Sequence, residues 1–467
     1  MAQFKYGSST PSEVLTDLAA KNNVSVLDRE FQVFLDANDE LSNLRDDFLI
    51  PKKSTFPGVD CDDEDQNGNC AYLCGNSLGL QPKSAQQDAQ KKKQVLQNWE
   101  LNAIECHKVG YLPAIFCDNF ARDGMAKLVG CHRDEVVIMN GLTVNLHLMM
   151  VSFYQPTQTR HKILIEEHAF PSDYYVVRSQ IQQRGFDDSS MLFLKPRKGE
   201  EIFRMEDVLE VIKKEGDSIA LVMLPGVHYF TGQVFDIKTI THTAHAKGCY
   251  VGFDLAHAVG NIELELHEWD VDFSCWCTYK YLNSGPGNLG AAFVHKKFND
   301  AKLPKFLGWW GHRESTRFEM SNDLDFASGA ESYRLSNPPP LLVACVLASL
   351  KVFGKTSIRK LREKSFLLTG YLEFMLKHYF SKQPGSSKPS VEILTPTNFN
   401  ERGCQVSLRF SCSLLEVSNK LKKEGMIFDT RQPNVMRVSP VPLYNTFHDV
   451  YRFVQALRKS LSNYNQN

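Results

Sequence analysis

The sequence predicts an α/β protein: a large, doubly wound, mostly parallel sheet domain followed by a small C-terminal α+β domain. Three observations carry this. From about Ala71 to Val294, short runs apolar on both faces alternate with amphipathic helical patterns, as parallel strands do when helices cover both sides. After Lys297 a loop-rich stretch leads to the order β, β, α, β, α, which suits a small domain with antiparallel strands. The chain has 467 residues, 43% hydrophobic and 23% charged, enough to bury a large core.

Two helical patterns open the chain, one after the Thr10, Pro11 start signal and one across Glu30 to Phe48. Asp60 to Asn69, DCDDEDQNGN, reads as an acidic loop. The strand candidates are then AYLCG, EVVIMN, KILIEEH, SMLFLKP, SIALVMLPG, CYVGFD, DFSCWCTY and GAAFVH, with helical patterns between most of them. Beyond SNPPP come two helices (about Leu341 to Phe353 and Ile358 to Tyr379), VEILTP, GCQVSLRFS, a helix at Leu414 to Glu424, NVMRVSP and a final helix from Phe447. The expected divisions are 1–70 for an N-terminal helical segment and acidic loop, 71–310 for the large domain and 311–467 for the small one.

With 53 Lys and Arg against 54 Asp and Glu, no overall field favours nucleic acid or an acidic membrane, so a small molecule or a protein is the expected partner. The N-terminal segment holds no continuous apolar stretch, and the longest apolar run, Leu341 to Leu350, is half of the ~20 residues a membrane span needs. Twelve scattered cysteines suggest reduced thiols more than a disulfide framework. Together these predict a soluble cytosolic protein.

Three motif matches yield to plainer readings. GPGNLG (Gly285 to Gly290) satisfies G-x-G-x-x-G, but a strand rather than a helix follows it. DEDQNG (Asp63 to Gly68) resembles half a calcium loop, but the twelfth position is Cys74 instead of a bidentate Glu. Cys275 and Cys277 lie on one face of an apolar strand, and Cys61, Cys70 and Cys74 lack a second matching pair, so core thiols are preferred to zinc. No metal is expected.

The informative pair lies on consecutive strands. GCYVGFDLAHAVGN puts Asp254 at the carboxyl end of one strand with His257 just after it, and DFSCWCTYKYLNSGPG puts Lys280 beyond the end of the next. In a doubly wound sheet such ends open into the ligand crevice. A lysine and an acid there suit pyridoxal phosphate: the lysine holds the aldehyde as a Schiff base, and the carboxylate keeps the pyridine nitrogen protonated. An ordinary ion pair at a sheet edge satisfies the same spacing. Leu142 and Thr143 open a helix after the EVVIMN strand, where free amides favour a phosphate dianion, although Thr143 alone could be a cap. HAFPSDYY adds Phe170 as a stacking face and Asp173 as a second acid, although Ser172 or Asp173 could likewise be a cap.

Taken together, these segments resemble the kynureninase family of the aspartate aminotransferase fold type. The resemblance rests on GNSLGLQP (Gly75 to Pro82), LTVNLH (Leu142 to His147), FPSD (Phe170 to Asp173), GVH and TGQ (Gly226 to Gln233) and GCYVGFDLAHAVGN (Gly248 to Asn261). It continues through CWCTYKYLN (Cys275 to Asn283), Gly308 to Met320, SNPP (Ser336 to Pro339), ERGCQ (Glu401 to Gln405) and Arg437 to Phe453. It implies a pyridoxal phosphate-dependent homodimer that hydrolyses L-kynurenine to anthranilate and L-alanine, and 3-hydroxykynurenine to 3-hydroxyanthranilate and L-alanine, in tryptophan catabolism toward NAD.

The resemblance also implies roles by position. Lys280 is the Schiff-base lysine, Asp254 the partner of the pyridine nitrogen, and Asp173 and His257 stand nearby. Phe170 stacks on the ring, with Pro171 and Ser172 beside it. Leu142, Thr143, Tyr279 and Trp309 hold the phosphate, Trp309 from the second subunit; Tyr279 with the phosphate is a candidate to activate water. Arg437 clamps the substrate α-carboxylate, in a fork that lysine cannot copy, and His107, Asn337 and Ser77 complete the substrate pocket. Because Lys280 and Arg437 fall in different expected domains, the site is expected between them. Two departures stand out: Pro225 where the family has Ser, and Tyr229, Phe230 where it has Phe, Tyr. If the strand continued, alternation would turn Tyr229 away from the phosphate. A cysteine desulfurase or aminotransferase of the same fold type is the nearest rival, and a catalytically silent binding or scaffold protein the rival of another class.

Overall fold

The computed structural model describes residues 5–60, 67–87 and 89–462. The chain forms two compact units: Ser84–Tyr229 with Phe235–Gly354, and Met1–Lys83 with Phe230–Val234 and Lys355–Asn467. Boundaries at 70/71 and 310/311 therefore do not match the packing. Leu15, Phe31 and Leu35 from the N-terminal helices share one core with Tyr371, Leu408 and Phe453, while Ala330 and Tyr333 belong to the core of the large sheet.

The large sheet has seven strands: β1 (Val136–Ile138), β2 (Lys162–Glu166), β3 (Met191–Leu194), β4 (Ile219–Pro225), β5 (Tyr250–Asp254), β6 (Phe273–Cys277) and β7 (Gly290–Val294). Their spatial order is β1-β7-β6-β5-β4-β2-β3. Pairings from β3 through to β6 are parallel, and β7 runs antiparallel to both β6 and β1. Every residue of β4, β6 and β7 is buried, which is why the sequence shows them as unbroken apolar runs. Cys275 and Cys277 are buried free thiols of this core.

In the other unit, β8 (Val391–Ile393), β9 (Val406–Phe410), β10 (Asp429–Arg431) and β11 (Val435–Val438) form an antiparallel sheet in the order β10-β11-β9-β8. AYLCG is not part of the large sheet: Ala71 and Tyr72 pair in parallel with Met426 and Ile427. Thr10 and Glu13 form the capping box that starts the helix Pro11–Lys21. The second helix is shorter than its pattern, Arg29–Ala37, because the Asn38 amide side chain donates to the Phe34 carbonyl at 2.8 Å and closes it. A 3₁₀ turn, Ser42–Asp47, replaces its expected second half. Cys61 and the first four residues of the half calcium loop, 63–66, lie outside the described residues. Among those described, no single helix is long and apolar enough to cross a membrane.

Candidate active site

Strands that run parallel and end together gather the chemistry. β2 ends on Glu166, β4 on Pro225 and β5 on Asp254. The register pairs Pro225 with Asp254 and Asp254 with Cys275, so Lys280, just past β6, rises at the same edge. These ends open into a cavity of about 300 Å³, lined by Glu166, Phe170, Asp173, Asp254, His257, Tyr279 and Lys280 among others. That is the low end of the volume usual for a small-molecule site.

One wall of the cavity is a helix N-terminus. Leu142–Phe153 starts after Gly141, which makes no side-chain cap, and Gly141, Leu142, Thr143 and Val144 all line the cavity. Uncapped first-turn amides with the helix dipole behind them suit a dianion. The Thr143 and Ser172 hydroxyls meet there at 2.6 Å. Pro171 is the first residue of the neighbouring helix, Pro171–Gln183, where its missing amide hydrogen costs nothing.

Lys280 and its neighbours define the centre. Lys280 Nζ lies 3.0 Å from His257 Nε2 and 5.6 Å from the centre of the Phe170 ring. Asp254 is 7% exposed and Asp173 6% exposed. Burial raises the Asp254 carboxyl, while Lys280, the Ala256 amide (2.7 Å) and a hydrogen bond from Asp173 oppose the rise. Asp173 is pushed well above the carboxylate range by burial and by the charges of Asp254 and Glu166. The pair thus keeps a proton on Asp173, which donates to a charged Asp254. Glu166, 2% exposed, is pushed up to about 8 by burial and by Asp254. Burial also raises the Tyr279 phenol, with Cys277 adding to the rise, so Tyr279 is a hydrogen-bond donor rather than a base.

These features fit pyridoxal phosphate: a lysine amine, a buried charged carboxylate, an aromatic face and an anion-binding helix end share one cavity. Tyr229 and Phe230 sit in a turn, not in a continuing strand, so alternation does not govern them. Tyr229 lines the cavity, its ring edge-on to Phe170 at 5.3 Å. Pro225 lines it too and offers no hydroxyl.

Arg437 belongs to the other unit. It is 1% exposed and paired with Asp429, and its Nη2 lies 3.2 Å from Ser77 Oγ. Ser77 also bonds Asp429, whose second oxygen takes Arg431 Nη1 at 2.7 Å. Burial would raise Asp429, but Arg437 and the Ser77 hydroxyl outweigh it and hold the carboxyl below its ordinary value. His107 closes an exposed 3₁₀ turn, Ala103–His107, and Asn337 is exposed. Trp309 is 48% exposed, with its indole N–H on the Arg317 carbonyl at 3.1 Å. None of these three lines the cavity. Sequence reasoning overlooked Glu166 and Asp429: the first ends a strand pattern as any turn-forming acid does, and the second lies in a short DTR strand without an apolar signature.

A lysine and a buried acid at the C-terminal ends of adjacent parallel strands, facing a helix N-terminus, define an enzyme of the aspartate aminotransferase fold type. Solved structures agree on the fold. A cysteine desulfurase from Thermococcus onnurineus NA1 superposes with a TM-score of 0.68 at 15% identity, over 85% of this chain and 95% of its own. A C-DES mutant with glycine covalently linked to its PLP cofactor gives 0.67 at 16%, over 87% and 99%. Residues 361–457 match the family model for the kynureninase C-terminal domain. The kynureninase of Rattus norvegicus is 49% identical over 98% of both chains, and that of Homo sapiens 48% identical over 97% of both. The chain belongs to the kynureninase family.

Proposed function

We propose that the protein hydrolyses L-kynurenine, and its 3-hydroxy form, to L-alanine and the matching anthranilate, using pyridoxal phosphate held by the residues above. The cavity that joins Lys280, Asp254 and Phe170 to the helix end at Leu142 carries this reading. When bound, the cofactor supplies an electron sink for the bonds broken at the substrate's Cα and Cβ.

The chain's own groups do the rest. Leu142 and Thr143 amides with the Thr143 and Ser172 hydroxyls hold the phosphate. Phe170 covers one face of the ring, and Asp254, kept charged by the Asp173 hydrogen bond, holds a proton on the pyridine nitrogen. Lys280 Nζ is placed to take the substrate Cα proton, with His257 Nε2 at 3.0 Å to share it. Tyr279, held as a phenol, donates a hydrogen bond to developing negative charge instead of activating water by itself. Asp429 and Ser77 fix the Arg437 guanidinium for the substrate α-carboxylate, and His107 and Asn337 bound the aromatic end. The reading includes a homodimer in the cytosol, in which the exposed Trp309 contributes to the phosphate site of the second subunit.

Incubating the holoenzyme with kynurenine, 3-hydroxykynurenine and cysteine separates the readings. Anthranilate with alanine in equal amounts is the expected result; sulfide from cysteine with no anthranilate would identify a desulfurase, and a protein that takes up no cofactor would be the silent relative.

A further inference from the structure

At the other end of the large sheet, before the parallel strands begin, lies a cluster with no part in this chemistry. Glu135, fully buried, immediately precedes β1. His267 Nδ1 lies 2.9 Å from Glu135 Oε1, and His132 sits across from His267 with ring centres 4.3 Å apart. One ligand atom from each of His132, Glu135 and His267 lies within 4.8 Å of the other two. Two imidazoles and a carboxylate are the ligand set of many open zinc sites, in which water fills the fourth position.

Three further observations favour a cation here. The Lys296 ammonium stands 3.1 Å from His132 Nε2; an ammonium has only donors, so that nitrogen must present its lone pair, the pair a metal would use. The ammonium already places positive charge at that nitrogen, and Lys296 is exposed and free to swing into solvent. The ligand-bearing segments are also tied together. Leu266 N donates to Val129 O and His267 N to Gly130 O, each at 3.0 Å. Gly130 is left-handed (φ 62°), and a Cβ there would strike the Leu264 carbonyl. Finally, the Glu135 carboxylate is oriented by two backbone amides, Lys296 N at 2.9 Å and His132 N at 2.8 Å, the outer support that metal-binding carboxylates use. The shortfall is modest: tetrahedral zinc needs its ligand atoms about 3.3 Å apart, and His132, exposed, can close the gap by a side-chain rotation.

We propose that His132, Glu135 and His267 form a binding site for a zinc-class divalent transition metal, remote from the cofactor cavity. The sequence does not mark it, because its third ligand lies over a hundred residues from the first two.

The test is titration of chelator-treated holoenzyme with zinc chloride, read by calorimetry and by thermal unfolding, beside His132→Ala, His267→Ala and Lys296→Ala. One saturable site that raises Tm, weakened about tenfold or more in the two histidine variants and retained in Lys296→Ala, is the expected result. If His267→Ala fails to fold, the exposed His132→Ala variant decides alone. Absence of saturable binding, or equal binding in wild type and His132→Ala as thiol ligation elsewhere would give, overturns the proposal.

Discussion

Lys280 Nζ lies 3.0 Å from His257 Nε2, and both residues project from loops that follow adjacent parallel strands. The amine that would carry the cofactor thus has a proton partner fixed beside it. Lys280→Ala should lose the visible absorbance of lysine-bound cofactor and lower kcat by more than about a thousandfold. His257→Asn should keep that absorbance and lower kcat by about ten- to a hundredfold. Spectra and single-turnover rates check both; a His257→Asn enzyme at wild-type rate would reduce the contact to packing.

Asp173 donates to Asp254 because burial and two neighbouring acids keep it protonated. Asp173→Asn retains an N–H donor and should bind cofactor nearly as well as wild type. Asp173→Ala leaves the buried Asp254 carboxylate short of a charge-assisted hydrogen bond, worth about 1.5–3 kcal/mol, so its cofactor Kd should rise by about tenfold or more. Equilibrium dialysis of the two variants distinguishes a hydrogen-bond role from a volume role.

Arg437 is oriented by Asp429 and Ser77. Lysine at 437 keeps the charge but not the planar fork. Arg437→Lys should therefore raise KM for kynurenine by about tenfold or more while cofactor absorbance stays unchanged. Asp429→Asn should act in the same direction but less, since Ser77 still holds the guanidinium. Loss of cofactor in either variant would contradict the role.

The contrast between these sites shows what the sequence could express. Asp254 and Lys280 were legible because each follows an apolar run at the place where a parallel sheet opens. Glu166 follows such a run too, yet one more acid at a strand end carries no sign that neighbours will make it neutral. The direction of β7 was invisible, since GAAFV is buried on both faces and an all-apolar strand has no polarity to read. The N-terminal helices could not be assigned to a unit, because amphipathic faces show that a helix packs without showing against what. The Glu135 cluster depends wholly on long-range pairing and leaves no local trace.

Gly252 lies in the middle of β5, where a Cβ would come within 2.1 Å of the Phe273 ring tip on the adjacent strand. Phe273 is itself fully buried and has little room to retreat. Gly252→Ala should cost about 1–3 kcal/mol by overpacking, read as a lower denaturant midpoint at unchanged slope. Because Asp254 is two residues away on the same strand, cofactor affinity should fall with stability.

Glu166 links stability to pH in the cofactor-free protein. Its ordinary value is 4.5, and burial with Asp254 beside it pushes the folded value up to about 8. Between these values the folded state binds the extra proton, so stability must fall as pH rises. The contribution is fully present below about pH 4.5 and is lost as pH passes through about 8, with a total on the order of a few kcal/mol. Glutamine imitates the neutral acid at every pH. Glu166→Gln should therefore be close to wild type near pH 5 and more stable than wild type above pH 8, provided the amide finds the space of the carboxyl. Chemical denaturation across pH 5 to 9 checks this through the slope difference between the two proteins, and parallel curves would mean that Glu166 is already ionised in the fold.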